Sequence, residues 1–187
     1  MNKIQPPHWH PVQCAGFILD WDGVLADTKL DFSPSVLGQK AGLIFYVDDD
    51  NYIYISRVYT SSGQKIVAVS ENGGTAVRNT FNDAYGASVY FKIEKCESDY
   101  LLYASGDGQT WGAPLYTYTN NMAGTDGVNS ALKMGLFAQN GNNPSAPEIT
   151  ASFDYFHMKL VRNYMSGEML RMFDGPFAVA ESFKSVW

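Results

Sequence analysis

The sequence predicts an all-β, antiparallel β-sandwich, and three observations carry that reading. The run AGLIFYVDDDNYIYI, residues 41–55, joins an apolar stretch, a tight acidic turn and a strictly alternating stretch, which is the pattern of a β-hairpin. Aromatic residues form 14% of the chain, in short segments punctuated by seventeen Gly, and aromatics favour strands as glycine favours turns. No segment before about residue 161 has helical spacing. At 187 residues the chain is long enough for one domain with a substantial core and short for two.

The elements follow in order. Residues 1–14 hold three prolines and two histidines and read as an irregular leader. Strand-like runs come at Gly16 to Trp21, Ala26 to Phe32, Lys40 to Val47, Tyr52 to Tyr59, Lys65 to Ser70 and Thr75 to Asn79. Five more span Ala87 to Lys95, Asp99 to Ser105, Leu115 to Thr119, Leu132 to Gln139 and Ile149 to Leu160. Turn chemistry separates them: SSG at 61–63, ENGG at 71–74, SGDG at 105–108 and NGNNPSAP at 140–147. Ala87, Val89, Phe91 and Ile93 line one face of their strand, with Ser88, Tyr90, Lys92 and Glu94 opposite. Ile149, Ala151, Phe153 and Tyr155 read as one face in the same way. The sandwich is thus expected over 15–160. Over 161–187, Tyr164, Met165, Met169, Leu170, Met172 and Phe173 recur at helix-like spacing and predict a short C-terminal helix packed on the sandwich.

Composition narrows the partners. Charged residues make up 17% of the chain and the net charge is −6, so there is no basic stripe to displace counterions from a nucleic acid. A low-charge, Tyr- and Asn-rich surface suits neutral glycans better. No apolar run reaches the ~20 residues of a membrane span. The leader has one Lys but no apolar core after it and does not read as a signal peptide, which leaves the compartment, extracellular or cytoplasmic, open. Cys14 and Cys96 are the two cysteines; one disulfide and two buried thiols both remain open.

Several pieces resemble a known family. DTKLDFSP at 27–34, GQKAGLIFYVDDDNYIYISR at 38–57, YFKIEK at 90–95, YLLYASGDGQTW at 100–111, KMGLFAQN at 133–140 and ASFDYFHM at 151–158 are similar, in order, to the concanavalin A-like C-terminal module of family-43 glycoside hydrolases of the β-xylosidase type. The resemblance implies a concanavalin A-like jelly roll that accompanies a catalytic domain, supports it and in some cases binds carbohydrate. The matching residues are framework residues, specific to the fold and not to a ligand.

A second resemblance competes. FILDWDGVLADT, residues 17–28, resembles the first motif of haloacid dehalogenase-type phosphatases. That likeness implies Asp20 as nucleophile, Asp22 as general acid/base and Mg²⁺ held by both, a combination that is chemically coherent. Such an enzyme needs a parallel sheet with crossover helices, whereas consecutive hairpins follow Thr28; a strand with an exposed turn at Asp20 to Gly23 accounts for the motif. A phosphatase, or a fusion carrying its first motif, stands as the alternative.

Other motifs read as structure. SGDGQTW at 105–111 resembles the Asp-box hairpin of sialidase-type propellers, one residue short, and is expected to be a tight hairpin with Trp111 packed under it. Asp48, Asp49, Asp50 and Asn51 offer oxygens to Ca²⁺, but consecutive residues of an extended turn point apart, so a solvated turn is expected. His8 and His10 lack a third ligand, and His157 sits on a strand. No catalytic constellation is recognisable, and neither a cofactor nor a metal is expected.

The candidate carbohydrate-binding residues are the aromatics expected on outward faces, Tyr52, Tyr54, Tyr90 and Trp111, with Arg57 and Lys92 as hydrogen-bond donors. A pyranose presents an apolar C–H face that a stiff ring meets at low entropic cost. The expected function is a non-catalytic carbohydrate-binding or accessory module for neutral polysaccharide. Its partner would be a glycan or a glycoside hydrolase catalytic domain, with neither nucleic acid nor membrane involved. A purely structural brace is the further alternative.

Overall fold

The computed structural model describes residues 23–96, 98–119, 132–141 and 146–161. The leader, the run Gly16 to Trp21, Asp20, Asp22, Cys14 and the tail from residue 162 lie outside the described residues, as do His8 and His10.

Ten strands form: β1 (Gly23–Asp31), β2 (Gln39–Asp48), β3 (Asn51–Thr60), β4 (Gly63–Asn72), β5 (Thr75–Asn82), β6 (Ser88–Cys96), β7 (Asp99–Ser105), β8 (Tyr116–Thr119), β9 (Lys133–Asn140) and β10 (Ser152–Val161). They make two five-stranded sheets, ordered β10-β1-β6-β7-β8 and β5-β4-β3-β2-β9, with every pairing antiparallel. This is the expected sandwich. Hairpins give β2 to β5 and β6 to β8 their neighbours, but β1 lies between two strands remote in sequence.

Alternation builds the core. Val24, Ala26, Leu30, Phe91, Ile93 and Leu102 from the first sheet meet Leu43, Phe45, Ile53, Ile55 and Ile66 from the second, all buried. Phe45 and Tyr100 make an edge-to-face contact across the interface at 6.3 Å and 81°, a preferred aromatic geometry. Burial pushes the Tyr100 hydroxyl up to about 12.

Two local expectations fail. Gly23 does not sit in an exposed turn; it is buried and opens β1. Asp27 and Thr28, the end of the phosphatase-like motif, therefore lie in a strand flanked antiparallel by β6 and β10, not in a parallel sheet. Tyr155 also leaves the face of Ile149, Ala151 and Phe153. Lys29 pairs with Tyr155 while Leu30 pairs with Phe153, so Asp154 is an extra residue. Such a bulge inverts the alternation beyond it: Phe156 and Met158 turn to the core, and Tyr155 turns out.

Candidate functional site

The six residues expected to bind sugar do not converge. Tyr52 and Tyr54 stand on the outer face of the β5-β4-β3-β2-β9 sheet, while Tyr90, Lys92 and Trp111 belong to the outer side of the other sheet. Arg57 stands on neither.

Arg57 shares its strand parity with Ile53 and Ile55 and is fully buried. Its guanidinium donates to the carbonyls of Phe32 at 3.0 Å, Ala87 at 2.8 Å and Gly86 at 2.9 Å, and pairs with Asp83 at 2.7 Å. Its donors knit the crossing between β5 and β6 to the segment after β1. The expectation that Arg57 offers hydrogen bonds on an outward face is corrected by this parity.

Tyr52 and Tyr54 stack at 6.0 Å and 13°. Tyr54 packs edge-on to Phe137 at 5.1 Å and is buried with Val58, Val67 and Val69 in a second apolar cluster. Tyr52 donates its hydroxyl to Glu71; burial, with the Glu71 charge behind it, holds that phenol well above its ordinary value. Both rings are largely committed to the sheet.

The other outer face assembles more chemistry. Cross-strand register places Tyr103, Lys92, Asp27 and His157 in one row, and Ser105, Tyr90, Lys29 and Tyr155 in the next. Lys92 Nζ lies 2.7 Å from Glu94, 4.2 Å from the Tyr103 ring centre and 4.8 Å from that of Trp111. Tyr103 and Trp111 meet edge-to-face at 6.4 Å. Tyr103 donates to Glu94 at 3.1 Å, and burial followed by the Glu94 charge raises its phenol. Asp27 is 2% exposed, and burial raises its carboxyl although His157 and the Tyr155 hydroxyl oppose the shift. His157 Nδ1 lies 3.4 Å from Asp27, and the imidazole stacks on Tyr155 at 4.3 Å.

Trp111 reaches this face from the connection after β7. The Ser105 hydroxyl donates to the Thr110 carbonyl at 2.7 Å, and Asp107 Oδ1 accepts the N–H groups of Gln109 and Thr110, both at 2.8 Å. Those bonds depress the Asp107 carboxyl to about 2. Gly108 adopts φ +68, and a Cβ there would lie 2.5 Å from the Tyr90 ring. The SGDGQTW segment is thus a turn closed by Ser105 and Asp107 that also seats Tyr90. It is not the expected tight hairpin: ten residues separate the end of β7 from the start of β8, and Trp111 lies in that connection. The Asp48 carboxylate is likewise used by its own turn, accepting from Asp50 N–H at 3.0 Å and Asn51 Nδ2 at 2.6 Å.

Sequence reasoning missed Asp27, Tyr103, Tyr155 and His157 as members of this face. The parity of β6 groups Glu94 with Tyr90 and Lys92, but the rest come from strands whose adjacency no local pattern announces. The arrangement sets the partly exposed rings of Tyr90, Trp111 and Tyr155 beside the paired side chains of Lys92 with Glu94 and Asp27 with His157.

Comparisons with known proteins agree with the fold. The family model for the β-xylosidase C-terminal concanavalin A-like domain matches residues 23–159. A variant of the GH43 protein BlXynB from Bacillus licheniformis shares 26% identity over 73% of this chain and 27% of its own, with a TM-score of 0.65. A xylan β-1,4-xylosidase from Bacillus halodurans shares 21% over the same shares of the two chains, at 0.62. A functionally unknown protein from Saccharomyces cerevisiae has 12% identity over 77% of this chain and 72% of its own, at 0.61, a likeness of fold alone. No curated protein matches. The chain spans about a quarter of the length of the two bacterial structures.

Proposed function

This chain belongs to the family of β-xylosidase C-terminal concanavalin A-like domains, and we propose that it serves a glycoside hydrolase catalytic domain as a non-catalytic module that binds neutral oligosaccharide. The observation behind this reading is the half-exposed Trp111 beside Tyr103 and Lys92, with Tyr90 in the next row, on the outer face of the β1-containing sheet. An indole meets the C–H face of a pyranose, and the Tyr90 hydroxyl and the His157 ring supply hydrogen bonds at its rim. Of the six candidates, Tyr90, Lys92 and Trp111 carry the reading. Tyr52 and Tyr54 support the sheet, and Arg57 supports the interior.

Titration calorimetry of the full chain with xylo-, arabino- and gluco-oligosaccharides tests it. Binding to at least one neutral ligand, abolished in Trp111→Ala with an unchanged circular dichroism spectrum, is the expected result. No heat with any of them removes the binding reading. It would leave the second one, a sandwich that only braces its catalytic partner, which the share of the bacterial chains outside the match favours.

A further inference from the structure

On the opposite face from Trp111, an open groove of about 620 Å³ runs along the start of β2 and the end of β3. Lys40, Val58, Tyr59, Arg78 and Gln139 line it. Register places Lys40, Val58 and Gln139 side by side on neighbouring strands, with Arg78 further along the same outer face.

The Thr60 hydroxyl in this groove is bonded within its own turn, but the two cations have no counter-charge. Among the described residues, neither Lys40 nor Arg78 has a carboxylate within ion-pair distance, and the Tyr59 hydroxyl and the Gln139 amide have no hydrogen-bond partner. Elsewhere in the fold, lysines at comparable positions are engaged: Lys65 donates to Asn82, and Lys29 and Lys92 pair with acids. Lys40 Nζ lies 5.3 Å above the Tyr54 ring. Burial, reinforced by the Arg78 charge, lowers its ammonium from the ordinary value, as expected of a cation held without a counter-charge. The strand positions of this outer face carry Lys40, Lys65, Arg78 and Lys133 against Glu71, on a chain whose net charge is −6. The positive face is therefore local and runs against the overall field.

We infer that the groove is a subsite for a carboxylate-bearing sugar, a uronate branch of an otherwise neutral chain. Its carboxylate would sit between Lys40 and Arg78, with Gln139 and Tyr59 on the ring hydroxyls and Val58 under the C–H face. Arg and Lys recognise carboxylate through charge-assisted hydrogen bonds that a neutral sugar does not make. The inference rests on the glycan-binding reading above but uses the other face of the sandwich, so the two fail separately.

The full chain is titrated by calorimetry with xylotetraose, with xylotetraose carrying one glucuronate branch, and with inorganic phosphate. The branched ligand is expected to bind about tenfold more tightly than the neutral one. That advantage should shrink as salt is raised and be lost in Arg78→Gln and in Lys40→Met, whereas Trp111→Ala, which removes binding of the neutral tetraose, should leave salt-sensitive binding of the branched one. Equal affinity for the two tetraoses, or an advantage that survives both groove variants, overturns the inference and leaves neutral binding standing. Phosphate that competes fully with the branched ligand overturns the assignment to a sugar. No response to either tetraose overturns both readings.

Discussion

Arg57 and Asp83 form an ion pair at 2.7 Å inside the sandwich, with side chains 1% and 4% exposed. The pair fixes the start of the crossing from β5 to β6, and the guanidinium also holds the carbonyls of Tyr85, Gly86 and Ala87. Removing one partner leaves the other charged and buried. Arg57→Met and Asp83→Asn are each expected to destabilise the fold by about 3–5 kcal/mol in urea denaturation. Arg57→Lys should recover little, because one ammonium cannot reproduce the planar fork that serves the acid and the carbonyls together. A loss under about 1 kcal/mol in all three would show that the network is dispensable.

Gln39 is the neutral counterpart. Buried at 1% exposure, it accepts the N–H groups of Ser35 and Val36 and donates to the Asn140 side chain at 2.8 Å and the Pro147 carbonyl at 3.1 Å. Gln39→Glu keeps the shape but sets an acceptor against two acceptors. A loss of about 1–3 kcal/mol at neutral pH is expected. The introduced carboxyl can donate only when protonated, so its folded-state pKa lies above the unfolded value and the deficit should shrink as pH falls. Pairwise denaturation curves at two pH values read both effects, and a pH-independent deficit contradicts the account.

Gly42 faces outward on β2, where a Cβ would stand 2.0 Å from the Ile55 carbonyl oxygen. That contact is with backbone and cannot be relieved by a rotamer. Gly42→Ala should cost about 1–3 kcal/mol by forcing β2 away from β3. Thermal melts give the comparison, with Gly86→Ala, where a Cβ meets open space, as the control that should change little.

The Asp107 carboxyl, held at about 2 by the Thr110 and Gln109 N–H groups, sets an acid limit on the turn before Trp111. The folded value lies below the unfolded one of about 3.9. Its stabilising contribution is therefore complete above about pH 4 and lost as pH falls through about 2. Carboxyl-detected NMR titration should show a midpoint near 2 for this residue, and Asp107→Asn should shift it to no other group. A midpoint near 4 would mean that the bonds of this turn are not formed in solution.

Much of the fold was legible in the sequence because alternation is local. The runs that became β2 to β9 differ from their observed strands by a few residues at each end. The site was less legible, for two physical reasons. Parity already placed Arg57 with Ile53 and Ile55, but its charge argued for the surface, and only closely placed oxygens from five residues reconcile a guanidinium with the core. The second reason is long-range pairing. Asp27 meets Lys92 and His157 because β1 lies between β6 and β10, and no local pattern specifies that. The Asp154 bulge is similar: a single unpaired residue turned Tyr155 outward without altering the composition of the run.

The position of β1 also bears on how the chain reaches this state. Gly23 pairs with Val161, so the first described strand is completed by the last. At roughly 5–20 residues per second of synthesis, β10 emerges about ten seconds after β1. During that interval the β10-facing edge of β1 has no native mate. Closing so long a loop makes such pairings slow. The pairings within the β2–β5 meander all join strands adjacent in sequence and can form as soon as it is made. Nascent chains stalled before residue 150 should therefore show stronger protease protection over β2 to β5 than over β1, which then has β6 on one edge only, and the waiting edge is where a chaperone or a second nascent chain would find its foothold.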